Sequence, residues 1–446
     1  MFKSNESGSG GNMARPVAQG RPENNNAFII ASFGGLTFER GGAHCVFNQF
    51  IEAIPTLARR YNAIQDADLY VLGPDTDSTS PEYRADILLA ASRVVTDEHL
   101  ILMSVDGHQS QGFSDIYGDP HDIARRKRMC REAVDRILEI ATSYKNVFVV
   151  GHEDHLVWVP YFLEELDQDL ASRIAFVWVP HVLAAMYPNV YDDRFKGELE
   201  ALSAFREWDR VAYVDNTVKD RLTGSYAIKV PLLKYRNEIW PKADRYSSIS
   251  SGLLPTTPFI FAAGRLTPHK GIDEVLHLYD TNLAPLLPIM VLACPAQDTD
   301  LDYVRRVRSK IDQINGDEQD KVWLFDTYHP TLVGEALRSQ QLQAVILPSR
   351  YELRSIYALE VRSFVSSNVG IFYRDLPTHI EVFKDSPNAI PFSSASSDSL
   401  VDVLSSFFEG ENDCPHGVSS IDGIERYVDT QKEVLSYAEE WYGRMG

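Results

Sequence analysis

Two cations and two acids, on separate stretches of the chain, carry most of the chemistry legible in this sequence. The turn AAGRLTPHKG (262–271) sets Arg265 and Lys270 five positions apart across Pro268, and Gly271 opens the helical pattern IDEVLHLY. A planar guanidinium fork and a point-charge ammonium beside a helix N-terminus suit a diphosphate. A solvated basic turn is the competing reading, since exposed Arg and Lys are common. Further on, PSRYELRSIYALE (348–360) places Glu352 and Glu360 eight positions apart behind an apolar, strand-like run. Acids in a chain whose clearest cationic turn receives an anion call for partners of their own.

Three earlier stretches carry weaker signals. In FGGLTFERGGAHCVFNQF, Gly34, Gly35, Gly41 and Gly42 allow close backbone approach, and a helix expected to begin near Ala43 would offer its free N–H groups to a phosphate or a sugar hydroxyl. The pattern is neither Gly-x-Gly-x-x-Gly nor a P-loop, so a plain strand-to-helix turn is the alternative. GHEDHLVWVP (151–160) holds His152, Asp154 and His155 at spacings that match no zinc motif, so these residues are expected to line a cleft or cap the next helix, and no metal is expected. His181, in VWVPHVL, follows a strand directly and would point into the same cleft, in a structural or a functional role. The basic cluster RRKRMCR (125–131) reads as a solvated helix face.

These turns need a scaffold. At 446 residues the chain exceeds what one core usually serves, which implies two domains. Short apolar runs at 27–33, 67–73, 99–105, 146–151, 174–180 and 210–215 alternate with amphipathic stretches such as CVFNQFIEAIPTLARRY. That alternation predicts a parallel sheet covered by helices on both faces. After the polar stretch KADRYSSISSGLLPTTP (242–258) the rhythm restarts, with runs at 259–264, 288–294, 321–326, 344–349 and 369–373. The expected organisation is a flexible arm over 1–26, a first Rossmann-like domain over 27–240, a second over 241–425, and a closing amphipathic helix over 426–446 that packs back on the first domain. In open sheets of this kind ligands sit beyond the carboxyl ends of the strands, where all the turns above fall.

Composition narrows the partners. A formal charge of -20 argues against nucleic acid or an anionic membrane, and no apolar run approaches the roughly 18 to 20 residues that span a bilayer. Four cysteines without a Cys-x-x-Cys pair favour reduced thiols and a cytoplasmic home.

Taken together, the turns resemble those of the retaining GT-B glycosyltransferases of glycosyltransferase family 4. The family's Gly-Arg-Leu turn with a following Lys-Gly is matched by Gly264, Arg265, Leu266, Lys270 and Gly271. Its Pro-Ser, Glu, seven residues, Glu pattern is matched by Pro348, Ser349, Glu352 and Glu360. Gly41 and Gly42, the HEDH stretch and His181 follow the order of its first-domain features. The resemblance implies two doubly wound domains facing across a cleft, with nucleotide sugar as donor and a hydroxyl-bearing small molecule or oligosaccharide as acceptor. It implies that Arg265 and Lys270 hold the diphosphate, that Glu360 takes the ribose hydroxyls, that Glu352 meets the donor sugar and that His181 positions sugar or acceptor. Gly42, Gly264, Arg354, Ser355 and Ile356 would also contact the donor. No cofactor and no metal are implied, and a UDP-sugar is favoured over a GDP-sugar. Leu353, Arg354 and Ser355 stand where the family has glycines and an aromatic residue. That departure keeps in view a catalytically silent subunit that binds sugar nucleotides, and the fold itself also admits a nucleotide-sugar epimerase or a phosphorylase.

Overall fold

The computed structural model describes residues 25–37, 42–80, 83–112, 115–116, 119, 121–186, 192–235, 254–280, 288–294, 301–316, 321–325, 330–352, 355–393, 395–396, 398–409 and 428–444. The first sheet has seven strands: β1 (Asn26–Ala31), β2 (Asp68–Pro74), β3 (Leu100–Met103), β4 (Asn146–His152), β5 (Ile174–Val179), β6 (Arg210–Tyr213) and β7 (Leu232–Lys234). They pair in parallel in the order β3-β2-β1-β4-β5-β6-β7. The second has six, β8 (Phe259–Arg265), β9 (Ile289–Cys294), β10 (Val322–Phe325), β11 (Leu342–Leu347), β12 (Gly370–Arg374) and β13 (Ala389–Phe392), also parallel, in the order β10-β9-β8-β11-β12-β13.

The central strands are apolar throughout because helices cover both faces: every residue of β4 and of β5 is buried. The expected strand runs fall on β1 to β6 and β8 to β12, with β1 starting one residue earlier, inside the stretch read as an arm. Two strands escape the sequence reading, β7 (LLK) and β13 (AIPF). Both lie at sheet edges, where a strand stays short and half-exposed and tolerates Pro391.

In each sheet the strand order reverses once, between β1 and β4 in the first and between β8 and β11 in the second. A crevice opens at the carboxyl ends beside such a reversal. The turns after β8 and β11, distant in sequence, are therefore neighbours in space, and so are those after β4 and β5.

The closing helix Lys432–Arg444 belongs to the first domain's core, burying Val434, Leu435, Tyr437, Ala438 and Trp441 there. The Tyr437 hydroxyl donates to Trp208 O at 2.6 Å, that of Tyr442 to Ala27 O at 3.0 Å, and Asn62 N–H donates to Glu439 at 2.8 Å. The chain thus crosses back to where it began. The expected boundary at 241 lies outside the described residues, and among those described no helix is long and apolar enough to cross a membrane.

Candidate active site

On the second domain, the turn after β8 and the loop after β11 are locked together. Gly271 has φ 67°, and a Cβ there would sit 2.3 Å from Pro348 O. Only glycine combines that left-handed backbone with so close an approach. Arg350 spans the two segments: its N–H donates to His269 O at 2.7 Å, and its guanidinium reaches Pro268 O, Asp273 and Glu274 at 2.6 to 2.7 Å. Arg374, at the end of β12, adds an ion pair to Glu274 and a 3.2 Å hydrogen bond to Pro348 O. No sequence motif announces this brace; it exists because the switch-point strands bring the segments side by side.

Within the brace, Lys270 Nζ donates to both oxygens of Glu352 at 2.7 and 2.5 Å, with the side chains only 16% and 12% exposed. Burial by itself pushes the Glu352 carboxyl up, but the Lys270 ammonium overrides it, helped by His379 and Arg265, and holds the group below the usual glutamate range. Arg265 is exposed at the mouth of the turn, with an N–H donating to His269 Nε2 at 3.3 Å. A Cβ added at Gly264 would meet the Lys270 stem at 3.5 Å, an ordinary contact.

Ser355 occupies the N-cap of the helix Ile356–Phe364, its hydroxyl accepting from Ala358 N at 3.1 Å. The helix carries Glu360, with Tyr357 close enough to feel its charge. Ile356 packs against both domain cores, so its contact is apolar. Arg354, like Leu353, lies outside the described residues.

His379 belongs to this site and carried no sequence signal, being a single histidine in PTHIEVF. It is fully buried, its Nδ1–H donates to Arg374 O at 3.1 Å, and it interacts electrostatically with Glu352 and Lys270. A carbonyl only accepts, so Nδ1 carries the hydrogen and Nε2 is a bare acceptor.

Across on the first domain, the turn after β1 takes φ 101° at Gly35 and 60° at Leu36, and Leu36 N–H is held by Asn48 Oδ1 at 2.8 Å. Gly41 lies outside the described residues, and Gly42 opens the helix Gly42–Arg60. At the ends of β4 and β5, His152 Nδ1 and His181 Nε2 lie 3.0 Å apart. Between β4 and its following turn sits Glu153 with φ 71°, a strained conformation for a residue with a side chain, held by Val179 O at 3.0 Å and by Trp178, whose indole N–H donates to Glu153 O at 2.7 Å.

The remaining residues of HEDH turn inward. Asp154 pairs with Arg126 and lies 3.4 Å from Arg194, which binds Glu198 at 2.7 Å; Tyr226 donates to the same Glu198. His155 Nε2 faces Ile116 O at 3.2 Å. Burial would raise the Asp154 carboxyl, and the two guanidiniums hold it well below its ordinary range instead. This corrects the reading of RRKRMCR as a wholly solvated face: Arg126 is buried at 4% exposure as the counterion of Asp154. Ligand atoms of Glu153, Asp154 and His155 lie within 4.8 Å of one another. A cation there would have to displace two guanidiniums from Asp154, so the set does not fit a metal.

Neither the family models nor the curated protein sequences give a match to this chain. Solved structures do match in shape. A UDP-forming α,α-trehalose-phosphate synthase from Burkholderia vietnamiensis superposes with a TM-score of 0.60 at 12% identity, covering 94% of this chain and 99% of that one. An Escherichia coli structure described as trehalose-6-phosphate bound with UDP-2-fluoro glucose gives 0.58 at 11%, covering 94% and 99%. A sucrose-phosphate synthase from Thermosynechococcus elongatus gives 0.62 at 13%, covering 95% and 99%. The neighbours do not single out glycosyltransferase family 4. What the likeness shows is the fold: the chain has the GT-B architecture of two Rossmann-like domains facing across a cleft.

Proposed function

We propose that this protein is a retaining glycosyltransferase that moves a sugar from a nucleotide-sugar donor, UDP ahead of GDP, to a hydroxyl of a small-molecule or oligosaccharide acceptor, without a metal ion. The observation that carries the reading is the meeting of Lys270 with Glu352 beside Arg265, at the switch point of the second sheet. Supporting it, the B. vietnamiensis neighbour is described as UDP-forming and the E. coli neighbour as bound with a UDP-sugar analogue.

In this reading the incoming diphosphate competes with Glu352 for Lys270. Arg265 and Lys270 neutralise the charge that grows on the leaving phosphate. Glu352, released, accepts hydrogen bonds from the donor sugar, and Glu360 from the ribose. The glycosidic bond to phosphate breaks as the acceptor oxygen attacks the same face, and the departing phosphate takes the acceptor's proton. The four cysteines without a Cys-x-x-Cys pair accord with a cytoplasmic setting.

The test is calorimetry with UDP and GDP, followed by donor hydrolysis over a panel of nucleotide sugars. Expected are micromolar UDP binding and slow hydrolysis of at least one UDP-sugar, abolished in Glu352→Gln. A second reading, the silent sugar-nucleotide-binding subunit, draws on Ser355, which spends its hydroxyl on capping a helix where the family pattern has glycine. It would show UDP binding with no hydrolysis of any donor. Conversion of a nucleotide sugar without an acceptor would favour an epimerase, and a requirement for inorganic phosphate a phosphorylase.

A further inference from the structure

His152 and His181 form a nearly coplanar pair, with ring centroids 5.3 Å apart, 17° between planes, and Nδ1 of the first 3.0 Å from Nε2 of the second. Burial depresses the basicity of both, drawing His181 down to about 4, so both are neutral near pH 7. Between two neutral rings a single hydrogen occupies the contact, and two arrangements exist. If His181 Nε2 holds it, His152 must carry its own hydrogen on Nε2. His152 is fully buried, and that nitrogen meets no hydrogen-bonding atom among the described residues; the rings of Phe47 and Tyr235 pack edge-on against the imidazole, with centroids 5.6 and 5.5 Å from its own. An orphaned buried N–H is rarer and costlier than an under-used acceptor. If His152 Nδ1 holds the hydrogen, its Nε2 is merely a bare lone pair.

We propose that His152 is a positioning residue whose Nδ1–H donates to His181 Nε2 and thereby fixes His181 as its Nδ1–H tautomer, a hydrogen-bond donor with no free basic nitrogen. The tautomer follows from the pair itself; its use in sugar transfer rests on the function proposed above. In that use His181 steadies a sugar or acceptor oxygen and leaves proton removal to the departing phosphate.

Imidazole nitrogen spectra of protein labelled with ¹⁵N-histidine test it directly, with His181→Gln identifying the His181 signals. At pH 7.5 the wild type should show His181 with a protonated Nδ1 and a bare Nε2. His152→Asn, whose amide N–H lies where Nδ1 does and can replace the donor, should keep that pattern, and His152→Phe should lose it. A wild-type His181 protonated on Nε2 overturns the proposal, as does a His152→Phe spectrum identical to wild type. In donor hydrolysis, His152→Phe should lower kcat roughly tenfold with little change in KM, the loss of one hydrogen bond formed in the transition state, and His152→Asn should recover most of it. Equal rates in all three proteins overturn the functional half. A wild type inactive toward every donor counts against the proposed function instead, while the spectra still decide the tautomer.

Discussion

Lys270 and Glu352 stand 82 residues apart in the chain and meet through both carboxylate oxygens, at 2.7 and 2.5 Å, with both side chains largely buried in the second domain. Removing one partner leaves the other's charge without compensation where water cannot fully replace it. Lys270→Ala is expected to lose about 3 kcal/mol of stability and to weaken UDP binding at least tenfold, roughly the worth of one charge-assisted contact. Glu352→Gln removes the carboxylate that competes with the diphosphate, so UDP should bind several-fold tighter while sugar transfer collapses. Urea unfolding and calorimetry measure the two effects separately.

Gly271 is the hinge pin of the brace. Alanine there would be strained at φ 67° and would thrust its Cβ into Pro348 O. Gly271→Ala should cost about 1 to 3 kcal/mol from backbone strain alone, and should weaken UDP binding in step with Lys270→Ala, because the strained turn displaces Lys270 from the place where it meets the diphosphate. Thermal unfolding with and without UDP checks both.

Ser355 caps a helix with its hydroxyl. Ser355→Ala should lose about 1 kcal/mol, and Ser355→Gly only a few tenths, as read by urea unfolding. If turnover appears or rises in Ser355→Gly, the serine limits the approach of the donor phosphate; if no donor is turned over by either protein, the silent-subunit reading gains.

The histidine pair predicts a pH dependence with a definite sign. Burial lowers the folded His181 value to about 4, below the roughly 6.5 of an unfolded chain. Between those values the unfolded state binds more protons, so stability rises with pH. Its contribution is full above about 6.5 and is lost as pH falls toward about 4. The slope of stability against pH in that window should be steeper in wild type than in His181→Gln, measured by urea unfolding from pH 7 to 4.

Much of this was legible in the chain. Unbroken apolar runs such as NVFVVG and IAFVWV announce strands buried on both faces, and the restart after residue 258 announces a second sheet. The types and spacing of Arg265, Lys270 and Glu352 point to the two strand-end turns, after β8 and β11, that the structure sets side by side. What escaped had no local pattern. β7 and β13 are too short and too exposed to form an apolar run, His379 is a lone histidine, and Arg126 looks like its solvated neighbours until Asp154 is found beneath it.

The sequence by itself determined the alternating parallel fold, the residue types at each strand end and the aromatic face of the closing helix, because these depend on periodicity and on chemistry within a few residues. Only the tertiary structure decided who partners whom: Lys270 with Glu352, His152 with His181, Arg126 with Asp154, Gly271 against Pro348. Parallel pairing sets distant strands side by side at a switch point, and burial there strips away water, so each charge and each N–H takes the partner that geometry leaves within reach.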